Sequence, residues 1–430
     1  MIRIVLSCIA FVLLAAKTIS AQEGKILKLP ITIEQGYGPF KAGFGRVSLI
    51  DTNRSANALR AKGFPSHWKN FFYGKLQTDF YQWTYQNYKQ GKLTEKDYQD
   101  LRKAWQWTPD EKKLTAKPIK CYVLCAWNID ENGHMGEVIL DANNNLNFSD
   151  DTVFNPKLYT NFDYNAPATD IKYVTTEQYI KGKVIKVTTP LVLAIAPPHI
   201  NYSIPQHGIA TLKNAKATYK IVISGNRFGR NDFSETEIQL LTDENKKFSN
   251  DTLIQENEYI TIGNKTYKHN GVDLQNSVLL LEEINVAGPV YSSQLGYYAF
   301  PFYDKEVANN AEISLEKYKG KYVFLDFWGT WCKPCIDEIP NLKKAYKELD
   351  SDKIAFIGIA YTGAEYLKEF IKENDMPWPQ LAYTSEAEGV LKLYNIKGYP
   401  TTLLIDPQGK IIAKNIRGGN LAEQLQKLMK

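Results

Sequence analysis

Two cysteines spaced by two residues, Cys332 and Cys335, stand where an apolar, β-rich run over 321–328 gives way to a helical pattern over 336–348. This constrains the fold more than any other feature of the chain, because a strand must deliver a thiol to the first turn of a helix. Unpaired backbone N–H groups and the positive end of the helix dipole meet a sulfur there, and both favour thiolate over thiol. Two intervening residues let the sulfurs close on each other, so a disulfide attacked by one can be released by the other. The same spacing is half of a zinc site, but zinc needs two more ligands. Residues 294–430 contain no His and no third Cys. The pattern therefore implies dithiol redox chemistry, with no metal and no separate cofactor expected.

The first 21 residues have the form of a secretory signal: Arg3, an apolar run over 4–16, and Ser20-Ala21 before Gln22. The apolar run is too short to span a bilayer, and Cys8 lies too early for a lipoprotein site. A periplasmic or otherwise exported protein, soluble after cleavage, is the expectation. Cys121 and Cys125 lie in an alternating, strand-like segment. On one strand they face the same side about 13 Å apart, too far for a disulfide, so two buried apolar thiols are expected. The formal charge of +5 is small for 430 residues, and residues 296–430 balance 18 Lys/Arg against 18 Asp/Glu. Nothing resembles the basic footprint that nucleic-acid binding requires.

The length predicts several domains. Residues 22–116 form a mixed region with Gly-rich turns, in which 64–107 reads as an aromatic helical pair. Ser66 is a candidate cap for its first helix and Thr94 for its second. Residues 117–289 read as short strands, a β-sandwich-like or duplicated β-rich region. The echo of Phe148-Ser149-Asp150-Asp151-Thr152 in Phe248-Ser249-Asn250-Asp251-Thr252 supports duplication. Oxygen-bearing side chains at Asp141, Asn143, Asn145, Asn147 and Ser149 have calcium-loop spacing. The loop lacks the turn glycine and the bidentate Glu, so an Asn-rich turn is the preferred reading. Residues 290–430 alternate strand and helix, then close with a hairpin and a helix. The expectation is a multidomain chain, an N-terminal α+β, β-sandwich-like region followed by a C-terminal α/β unit.

Asp326-Phe-Trp-Gly-Thr-Trp-Cys332-Lys-Pro-Cys335, Gly398-Tyr399-Pro400-Thr401 and Leu404-Ile405-Asp406-Pro-Gln-Gly409 together resemble the thioredoxin fold. The likeness is greatest to its exported TlpA/ResA branch. The resemblance covers about 290–430, whereas 22–289 resembles no family we recognise; secreted Bacteroidetes-type proteins often join such a unit to a β-rich N-terminal region. It implies an exported thiol–disulfide oxidoreductase that reduces disulfide-bearing periplasmic proteins and is recharged by a membrane thiol carrier of the DsbD/CcdA kind. Cys332 becomes the exposed nucleophile and Cys335 the resolving thiol. Asp326 and Glu338 become alternative proton acceptors. Lys333 favours the thiolate, Pro334 fits the first helical turn, and Pro340 matches a helix kink. Trp331, Tyr399 and a cis Pro400 face the substrate peptide. The alternatives are an oxidase or isomerase, a peroxidase, or a surface protein whose N-terminal region binds an unknown glycan or peptide ligand.

Overall fold

The structure is a computed structural model. It describes residues 24–50, 59–105, 107–161, 167–214, 217–224, 233, 236–241, 253–285, 288–385, 389–394, 396 and 398–429. The signal segment and the second copy of the echo, up to Thr252, lie outside the described residues.

In the C-terminal unit, β-branched and aromatic runs form a five-stranded mixed sheet. Its elements are β1 (Tyr322–Trp328), α1 (Lys333–Glu348), β2 (Ile354–Tyr361), α2 (Ala364–Glu373) and β3 (Gln380–Tyr383). They are followed by α3 (Gly389–Tyr394), β4 (Thr401–Ile405), β5 (Ile411–Lys414) and α4 (Leu421–Leu428). The strand order is β3-β2-β1-β4-β5, with β1 parallel to β2 and antiparallel to β4. Successive side chains of a strand point to opposite faces. Phe324 and Trp328 therefore enter the core shared with α1 and α4, and Val323, Leu325 and Phe327 the core beneath α3. β3 is absent from the sequence reading, because Pro377 and Pro379 crowd its start.

The 64–107 segment is not a helical pair throughout. Phe71–Gln77 is a strand, pairing with Tyr122–Ile129, and the first helix runs only over Phe80–Lys89. Ser66 precedes no helix; Asp79 is the cap, its side chain accepting from the Gln82 N–H. Thr94 does cap the helix Glu95–Ala104, accepting from the Asp97 N–H. The aromatic residues divide between burial (Trp68, Tyr85, Tyr98) and exposure (Phe71, Phe72, Trp105).

Among the described residues, the N-terminal strands lie in three sheets. A four-stranded sheet contains Phe71–Gln77, Tyr122–Ile129 and Met135–Leu140. It packs Leu76, Val123, Cys125 and Trp127 against Leu191, Leu193, Ile200 and Tyr202 of a second sheet. Cys121 and Cys125 are buried and not disulfide-bonded, and burial pushes both thiols well above their ordinary pKa. The third sheet has eight antiparallel strands, and Ile26–Gln35 sits in its middle between Gln206–Lys213 and Val278–Ile284. Residues on both sides of position 116 thus build one sheet.

The 141–149 loop spends its oxygens on its own backbone. Asp141 accepts from the N–H groups of Asn145 and Leu146, Asn145 from Asn147, and Asn147 from Ser149. The segment leading into the redox unit is tied to both sides. The Gln294 side chain pairs with the Tyr259 N–H and C=O at 2.7 and 2.8 Å, and the Gly296 and Ala299 N–H groups donate to Ile411 and Gly409. Among the described residues no helix is long and apolar enough to cross a membrane.

Candidate active site

β1 ends at Trp328, and a three-residue loop carries the chain to Cys332, the N-cap of α1. The Cys332 Sγ accepts a hydrogen bond from the Cys335 N–H at 3.3 Å, so the sulfur lies in the field of the helix N-terminus. Pro334 occupies the first turn, where a missing N–H leaves no intrahelical bond unmade. Cys332 and Cys335 are joined by a disulfide. Contrary to the expected exposed nucleophile, Cys332 is only 5% exposed, against 3% for Cys335. Both pack with Trp328 and Ile339 in the core beneath α1, and Tyr399 lies against that core. The two residues therefore differ in their place on the helix far more than in exposure.

Lys333 does not act on the sulfur alone. Its ammonium donates to Asp337 one turn along α1, and both side chains are largely solvated. The neighbouring carboxylate offsets the cation, leaving the backbone as the main fixed source of positive potential at Cys332.

Asp326 lies on the β1 face it shares with Phe324 and Trp328, the face turned to α1. Burial, and secondarily the charge of Glu338, push its carboxyl up to about 7. Glu338, on α1, accepts from the Gly418 N–H at 2.5 Å and from Asn341 Nδ2 at 3.2 Å. The two acids thus occupy different environments, Asp326 buried and poised to exchange a proton near neutrality, and Glu338 hydrogen-bonded to Gly418 and Asn341.

The Tyr399–Pro400 peptide bond is cis. Tyr399 and Trp331 stand edge to face at 5.4 Å. A third ring, missed in the sequence, completes the group: Tyr361, at the end of β2, lies 6.0 Å from Trp331 and 6.1 Å from Tyr399. Its signal was an aromatic residue at the carboxyl end of a sheet strand beside a strand that feeds the site, where open α/β sheets place ligands. Gln380 was missed too; its side chain crosses Gly358, where a Cβ would clash at 1.8 Å, and accepts from the Trp328 indole N–H at 3.0 Å. Gln380 thereby fixes the last residue of β1.

Comparison with known proteins places a family on the C-terminal unit. The AhpC/TSA family model matches residues 299–414. Over 120 residues the chain is 37% identical to the thiol-disulfide oxidoreductase ResA of Bacillus thuringiensis subsp. konkukian, covering 28% of this chain and 68% of ResA. The chain belongs to the ResA family of thiol-disulfide oxidoreductases. A second member-like relative is the thioredoxin-like protein YneN of Bacillus subtilis, 34% identical over 132 residues, covering 30% of this chain and 75% of YneN. Among solved structures, the thioredoxin domain of a thiol-disulfide oxidoreductase from Bacteroides vulgatus is 32% identical. It covers 32% of this chain and 98% of that domain, with a TM-score of 0.29. Like other ResA-family members the chain has a thioredoxin fold in its C-terminal unit and is a thiol–disulfide oxidoreductase. The family match leaves residues 1–298 outside it.

Proposed function

We propose that the protein is an exported reductase of protein disulfides, with Cys332 as nucleophile and Cys335 as resolving thiol. The observation that carries this reading is the Cys332 sulfur at the N-cap of α1, accepting a backbone N–H. In the reduced protein the Cys332 thiolate attacks a substrate disulfide. One substrate sulfur leaves as a thiolate and takes a proton, and a mixed disulfide forms. Cys335 then gives its proton to Asp326 and attacks Cys332, releasing the second substrate thiol. Two electrons pass to the substrate and Cys332–Cys335 ends oxidised. Burial, with the charge of Glu338 second, keeps the Asp326 carboxyl basic enough to take that proton. Trp331, Tyr399 and Pro400 face the substrate backbone, while Lys333 and Pro334 shape the rim. A membrane thiol carrier of the DsbD/CcdA kind returns the electrons, and the sheets of residues 24–285 hold the unit beside a partner they recognise.

The direction of electron flow is tested by equilibrating the full mature chain in a dithiothreitol or glutathione series. The expected potential is that of a reductant, roughly −270 mV or lower. A value between roughly −180 and −120 mV would make the protein an oxidant or isomerase instead.

A further inference from the structure

An exposed tryptophan beside the redox pair is anchored to the end of β2. Trp331 is 60% exposed, yet its indole N–H donates to the Tyr361 C=O at 2.9 Å. The adjoining loop is stapled to the end of β2 as well: the Thr330 N–H donates to Thr362 Oγ1 at 3.2 Å, and the two hydroxyls pair at 3.2 Å. Gly329 makes room for this pose, since a Cβ there would meet the Trp331 indole nitrogen at 2.7 Å. The rings of Tyr361 and Tyr399 close around it edge-on. The adjacent Lys333 is spent on Asp337.

A large apolar surface left in water is unfavourable unless a partner covers it. Aromatic side chains already fixed in one pose lose little further freedom when covered, so they contribute more of their contact energy to binding. An acidic substrate residue placed over this group would lose hydration and find Lys333 already paired. An aromatic residue would find ring edges and faces at stacking distance.

We infer that Tyr361 is a specificity-determining residue: with Trp331 and Tyr399 it selects extended disulfide substrates carrying an aromatic side chain next to the target cysteine. This rests on the thiol–disulfide reading above and narrows its substrate class. Tyr361 acts twice, through its ring and through the carbonyl that holds Trp331. Only the ring is lost on substitution.

The test uses the full mature chain, reduced, with two fluorogenic peptide disulfides differing only in a Phe or a Ser beside the cysteine. Second-order rate constants are measured for the wild type, Tyr361→Ala, Tyr361→Phe and Trp331→Ala, with thermal melts to establish folding. The wild type is expected to reduce the Phe peptide ~10-fold faster than the Ser peptide. Tyr361→Ala and Trp331→Ala should collapse that ratio towards one, chiefly by slowing the Phe peptide, and Tyr361→Phe should keep it. A wild-type ratio near one overturns the inference. So does a Tyr361→Ala protein that slows both peptides equally, since the ring would then serve only packing. A wild type that reduces neither peptide while folded would bring down the underlying reductase reading together with its specificity.

Discussion

Cys335→Ser is expected to turn the protein into a trap, accumulating a covalent complex with its substrate through Cys332. The first chemical step needs only the Cys332 thiolate and is retained. The second needs a thiol held within reach of the mixed disulfide, and its loss leaves release to thiols from solution. Held groups commonly act at effective concentrations of about 10⁵ M or more, so turnover should fall by at least ~10³-fold at millimolar external thiol. Cys332→Ser should abolish turnover and form no adduct. Exposure does not distinguish the two residues, at 5% and 3%; the N-cap does. Only Cys332 Sγ accepts the first-turn N–H from Cys335. Non-reducing electrophoresis and intact mass after mixing each variant with an oxidised protein substrate would read the result. An adduct on Cys332→Ser but not on Cys335→Ser would reverse the assignment of nucleophile and resolver.

What was legible in the sequence was what is local. The apolar run of β1, the cysteines opening α1 and the Gly-Tyr-Pro-Thr turn each declare themselves within a few residues, and their order carries the fold of the last third. β3 was hidden because Gln380–Tyr383 is short and follows Pro377 and Pro379, residues that ordinarily mark a loop. The strand Phe71–Gln77 was read as helix because its aromatic residues mimic helical spacing over one turn. Gly74 was the contrary signal: a Cβ there would lie 2.4 Å from the Ser48 C=O on the neighbouring strand. The place of Ile26–Gln35 in the centre of the eight-stranded sheet could not be read, because its partners lie about 180 and 250 residues away and register between such strands is a tertiary property. At the site, residue types were visible and environments were not. Asp326 and Glu338 looked equivalent as acids; only burial of one and two hydrogen bonds to the other separate them.

That separation makes Asp326→Asn the second large prediction, and its sign follows from the shift. The folded pKa of about 7 lies above the ordinary 3.8, through burial first and the Glu338 charge second. Below pH 3.8 the group is neutral in both folded and unfolded chains and its ionisation contributes nothing. Between 3.8 and 7 the unfolded chain loses the proton while the folded chain keeps it, so stability falls as pH rises. Above 7 the penalty is complete, roughly 4 kcal/mol as an upper bound for a shift of this size. Asn bears no charge, so the variant should resist urea better than the wild type at pH 8, by up to a few kcal/mol, and hardly differ at pH 4. The same change should slow the step in which Cys335 is deprotonated, by about 10²-fold, and erase the inflection near neutral pH from its rate. Glu338→Gln removes the charge that adds to the shift, so it should move that inflection to lower pH without removing it. Equal stabilisation of Asp326→Asn at both pH values would mean that packing, and not ionisation, dominates at this position. A pH–rate profile left intact in Asp326→Asn but lost in Glu338→Gln would transfer the proton-accepting role to Glu338.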